Sequence, residues 1–127
     1  RYRQAMSQAP LSALPRVRMA QVAFARGEYQ QAADWYREAT TAEPSWLAQV
    51  DDVQSLFAEP SDFHDALASL EAHLQAHPTD RDGWLVLGAE FLLSDRRDRA
   101  ADIFLRLTGT FPDATLATFL REVEAVP

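Results

Sequence analysis

Trp84-Leu85-Val86-Leu87-Gly88-Ala89-Glu90-Phe91 is the stretch on which the fold turns. An aromatic opens it, Leu stands three residues on, glycine follows, and a second aromatic closes it at i+7. On a helix the first, fourth and eighth positions share one side. Beyond it come Ala100, Phe104, Leu107 and Pro112. Stepping back from Pro112 by 34 residues meets Pro78, and by 34 again Pro44. Ala32, Ala66 and Ala100 each stand twelve residues before one of these prolines, and Tyr36, Leu70 and Phe104 eight before. Tyr29 and Phe63 stand fifteen before, where the third copy has Arg97; Ala23, Phe57 and Phe91 stand twenty-one before. A fixed period of this length marks stacked supersecondary units, which bury their apolar faces only against one another.

Each unit reads as two antiparallel helices. Small residues such as Ala32 and Gly88 let helices approach, and Trp84, Leu87, Phe91 and Phe104 fill the space around them. The closing prolines lack an N–H and push the preceding residue out of helical geometry. Leu67, Leu70 and Leu74 recur at helical spacing, as do Phe104, Leu107 and Phe111. These signals predict about seven helices, near 12–26, 29–42, 46–58, 62–76, 80–94, 97–110 and 113–125. Asp62, Asp80 and Asp113 are candidate N-cap or first-turn acids. The last helix carries Leu116, Phe119, Leu120 and Val123 on one stripe, as a helix closing the end of a stack requires.

The third copy has the W-x2-L-G-x2-Y/F pattern, and the first has Gly27-Glu28-Tyr29-Gln30-Gln31-Ala32 followed by Tyr36, Ala39 and Pro44. Over residues 13–112 the chain resembles the tetratricopeptide repeat (TPR) family. The resemblance implies an all-α, right-handed α-solenoid of antiparallel helix pairs. Its units would be 13–46, 47–80 (divergent) and 81–112, with a capping helix over 113–127 and, over 1–12, a tail or the remnant of a preceding helix. The chain begins at Arg1 and not at Met, so it reads as part of a longer protein. The second copy departs from the pattern. Gln54 stands where the others have Ala20 and Gly88, His73 where they have Ala39 and Leu107, and Pro60-Ser61 replaces the turn at Gly27. Bulky polar groups at a helix contact need partners or water, so this pair is expected to be splayed, rotated or extended.

All twelve basic residues are Arg, Asn is absent, and Ile occurs once, at Ile103, against 22 Ala; this usage points to a GC-rich bacterial genome. Cysteine is absent, which removes disulfides, thiolate metal sites and thiol nucleophiles but fixes no compartment. Net charge is −7, distributed as +3 over residues 1–42, −8 over 43–82 and −2 over 83–127. Such a balance repels nucleic acid and anionic lipid, and no apolar run is long enough to enter a membrane. No phosphate loop, nucleophile elbow or supported Ser/His/Asp arrangement occurs, so neither enzyme activity nor a cofactor is expected.

What the resemblance implies instead is a concave groove that binds a peptide or helix of a partner protein. By family spacing the groove positions are Leu14, Val17, Gln21, Phe24 and Ala25, then Ala48, Asp51, Ser55, Ala58 and Glu59, then Asp82, Leu85, Ala89, Leu92 and Leu93. Asp51 and Asp52 at the central rung disfavour the family's carboxylate clamp, which uses Lys, Asn and Arg. An apolar or basic-amphipathic segment suits the groove, with Asp51, Asp52 and Glu59 orienting its basic residue. Leu92 and Leu93 point either into the groove or into the repeat core, depending on helix rotation. The second reading is an assembly module with no separate ligand: the repeats pack on another domain of a larger protein, or self-associate, with Arg1, Arg3, Arg16 and Arg18 of one copy against Asp51, Asp52 and Glu59 of the next. His73 and His77 have the i, i+4 spacing that can hold zinc but lack a third ligand, so no metal site is expected. Trp35 is expected on the convex side or under the N-terminal tail, and Trp46 in the seam between repeats.

Overall fold

The computed structural model describes residues 13–43, 46, 57, 59–108 and 114–124, and the described elements are all helical. They are α1 (Leu14–Ala25), α2 (Tyr29–Ala42), α3 (Pro60–Ala76), α4 (Arg81–Leu93), α5 (Arg97–Thr108) and α6 (Ala114–Glu124). Each lies within a few residues of an expected helix. Of the expected helix over 46–58 only Trp46 and Phe57 are described; its other residues lie outside the described ones, as do Pro44, Pro112, Asp113 and residues 1–12. No helix among the described residues is long and apolar enough to cross a membrane.

Two turns repeat in phase. After α1, Gly27 takes φ +77°, the Glu28 N–H donates to Ala23 O at 2.9 Å, and the Gly27 N–H donates to Phe24 O at 3.1 Å. After α4, Asp95 takes φ 65°, the Arg96 N–H donates to Phe91 O at 2.7 Å, and the Asp95 N–H donates to Leu92 O at 3.3 Å. Both are Schellman ends, in which a left-handed residue lets the chain reverse while satisfying the last carbonyls. Positions 27 and 95 are two 34-residue periods apart, so the periodicity extends to the backbone. In the second copy the corresponding Ser61 is already helical, because Pro60 starts α3 in its first turn, where a missing N–H costs nothing. That helix is accordingly extended at its N-terminal end.

The α3–α4 corner is tied by Asp80. Its Oδ1 accepts the Gly83 N–H at 3.1 Å and so caps α4, while its Oδ2 lies 2.7 Å from His73 Nε2. His73, the bulky substitute in the second copy, thereby finds a partner, and Tyr29 of α2 covers its ring at 4.9 Å. Asp62 lies in the first turn of α3, where an acid suits the helix dipole.

Packing centres on α4, which is buried from residue 85 to 93 without a solvent face. It packs against α5, α2, α3 and α6. Gly88 permits the α4–α5 approach: a Cβ there would run into Phe104 Cε1. Because that ring is wedged flat against Phe119, with centroids 5.4 Å apart, it cannot yield freely. Gly88→Ala is therefore expected to lose about 2 kcal/mol, overpacking outweighing the better helix propensity of Ala; urea unfolding checks it.

The connectivity departs from a strictly linear stack. In such a stack each unit touches only its neighbours. Here α2, from the first pair, also contacts α4 and α6. Two aromatic clusters do the joining. Phe24, Phe57 and Phe63 meet edge to face at 5.4–6.3 Å and lock α1 to α3. Tyr36, Trp46 and Phe119 meet at 5.8–6.0 Å and lock α2 to α6, with Phe104 of α5 stacked behind. Such pairs add about 1 kcal/mol each beyond area burial. Both Trp35 and Trp46 are buried, so neither marks an outer contact surface.

Candidate functional site

The expected groove positions are placed differently from an open groove. Val17, Gln21 and Phe24 on α1 and Leu85, Ala89, Leu92 and Leu93 on α4 are all buried, none more than 7% exposed. Closure of α2 onto α4 and of α1 onto α3 rotates these side chains into the chain's own core, so Leu92 and Leu93 belong to that core. Leu14, Ala25 and Glu59 are exposed and Asp82 half-buried. Asp82 is engaged by Arg37 of α2 at 2.7 Å. Ala48, Asp51, Asp52, Ser55 and Ala58 lie outside the described residues, and with them the acidic rung. Arg16, expected to reach a second copy, stands 3.8 Å from Glu38 of its own chain.

Gln21 belongs to a buried polar chain that crosses three helices. Its Nε2 donates to the Tyr36 hydroxyl at 2.5 Å, and that hydroxyl donates to Glu90 Oε2. Gln21 Oε1 and Glu90 Oε1 have no hydrogen-bond partner among the described residues. Burial pushes the Glu90 carboxyl up to about 8, against the opposing pull of its hydrogen bonds from Tyr36 and Gln21. Burial also raises the Tyr36 phenol, and the neighbouring Glu90 charge adds to it. At neutral pH the carboxyl is thus mostly protonated. Fully enclosed, the trio has no access for a substrate and acts on the fold. A single acid inside the apolar run 84–93 is the sequence signal for it.

His73 and His77 stack at 4.7 Å, but their nitrogens do not converge: His73 Nε2 meets Asp80, and His77 Nδ1 lies 3.2 Å from the His73 carbonyl. No group of three or more His, Asp or Glu side chains among the described residues could hold a metal ion.

An open cleft of about 820 Å³ lies between α3, α4 and α5. Its floor is Leu87, Phe91 and Leu107, all buried; its walls are the half-buried Trp84 and Ile103. The α3–α4 turn contributes Pro78 and Thr79, and the Trp84 indole N–H donates to Pro78 O at 2.9 Å, holding the ring against one wall. Glu71, Arg81, Arg99, Asp102 and Arg106 form an exposed rim. Arg99 lies over the Phe91 ring, 5.6 Å from its centroid, which fixes its guanidinium beside the floor. The size is that of a ligand-binding cleft, apolar within and polar at its edge. Leu87 and Phe91 pack as the repeat spacing expects; what that spacing does not show is that Trp84 stays half-buried and faces Ile103 of α5 across a cleft.

No known protein-family model matches the chain, and comparison with curated proteins finds no significant relative.

Proposed function

We propose that the chain is a helical-repeat binding module of the tetratricopeptide type, with units 13–46, 47–80 and 81–112 closed by the last helix, and that it holds a segment of another protein. In-phase Schellman ends at Gly27 and Asp95 support the repeat reading, together with the 34-residue period. The module works by binding alone, without catalysis or a cofactor. The observation that carries the binding reading is the α3–α4–α5 cleft, where the half-buried Trp84 and Ile103 stand over a buried apolar floor beside two helices. Two such ridges form a seat for a further helix or extended segment. In this reading the contact surface is the cleft.

A peptide library displayed on phage and selected on the purified chain tests this. Ile103 stands on the wall, half-buried and packed against the edge of the core, so Ile103→Asp, compared at a temperature where circular dichroism shows both proteins folded, should lose about tenfold or more in affinity for the selected peptides. Selected peptides that bind both proteins equally would sink the cleft as the contact surface. Light scattering across protein concentrations addresses self-association: a mass that rises with concentration in the parent and not in Ile103→Asp would make a second copy the occupant.

A further inference from the structure

The rim of the cleft specifies its occupant more closely, an inference that rests on the cleft being the contact surface. Arg99 and Arg106 stand seven residues apart on α5, two helical turns or about 10 Å along one face. Ile103 lies between them on that face, and both guanidiniums flank the apolar floor. Arg81 adds a third positive charge across the cleft at the start of α4, against the carboxylates of Glu71 and Asp102. Arg99 and Arg106 thus set two positive charges beside the apolar cleft on a chain of net charge −7. Phe91 orients Arg99 from beneath, so the edge of its guanidinium is free to meet a carboxylate without a new ordering cost.

We propose that the cleft takes an acidic amphipathic helix of a partner protein, its apolar residues between Trp84 and Ile103 and its carboxylates two turns apart against Arg99 and Arg106. The seven-residue spacing on α5 matches acids at i and i+7 of an antiparallel ligand helix, with apolar residues at i+3 and i+4 between them. Glu71 and Asp102 confine the acids to those two positions, because a carboxylate beside either would be repelled.

Three fluorescein-labelled peptides of one length test this by polarisation on the full chain: one with Glu at i and i+7 around a Leu-Phe pair, one with Lys at both positions, and one with the Glu residues shifted by two. The first should bind about tenfold tighter than either of the others, with the preference shrinking as salt rises. Arg106→Glu should reverse the preference between the Glu and Lys peptides, and Arg99→Gln, which keeps the fold and removes one charge, should reduce it. Equal binding of the three peptides, tighter binding of the Lys peptide, or a preference untouched by both variants would overturn the proposal. So would failure of all three to bind. In each case the library selection against Ile103→Asp reports separately on the cleft itself.

Discussion

Glu90→Gln should stabilise the protein at pH 8 and leave it nearly unchanged at pH 5. The folded carboxyl titrates near 8 and the unfolded one near its ordinary 4.5. Between those values the folded state holds a proton that the unfolded state has released. Stability is fully present below the unfolded value and falls as pH rises through the window, by up to about 1.4 kcal/mol per pH unit. The whole window amounts to an effect of order 4 kcal/mol. Glutamine has the same shape, carries no charge and can donate from its amide toward Gln21, so the variant lacks this loss. Urea unfolding of both proteins from pH 5 to 9 isolates the contribution, because the other titrating groups are common to both. A gap between the two that stays flat with pH would refute the assignment of a neutral buried acid.

Phe119→Ala is expected to cost about 4 kcal/mol, the usual toll for an aromatic removed from a full core. Phe119 is completely buried and touches Tyr36, Trp46 and Phe104. A domain of this size has roughly 5–15 kcal/mol in all, so the variant would stand near its unfolding threshold. The location of the damage is more telling than its size. If α6 only covered the end of a linear stack, amide exchange would rise in α5 and α6 alone. With Phe119 seated against Tyr36, protection should fall in α2 as well. Hydrogen exchange of the variant, read over residues 29–42, distinguishes the two.

Local structure was legible where physics is local. Proline spacing and apolar period place the described helices, and Gly27 announces its turn through the one residue type that takes positive φ without strain. Asp95 announces nothing by itself; only the step of two periods from Gly27 reveals that it does the same work. The groove was read by family spacing, and that inference depends on helix rotation, a long-range quantity. Val17, Gln21 and Leu85 have the right spacing to line a groove, yet they face inward because α2 turns onto α4 and α6. The cleft was hidden for the opposite reason. Trp84 has a core-type side chain, and no local pattern tells that it stays half-buried opposite Ile103 of α5. The charges of Arg99 and Arg106 were visible as composition, while the face they share with Ile103 emerged only with α5 in place.

The contact of α2 with α4 and α6 has an evolutionary corollary. Open repeat arrays lengthen by duplication, since a new unit finds the same surface its predecessor offered. Here an added 34-residue unit between the first and third pairs would carry Tyr36 away from both Glu90 and Phe119. It would leave a carboxyl enclosed without its phenol and an aromatic site without its partner. The spacing of α2 from α4 and α6 is thereby set by the interior the three helices share.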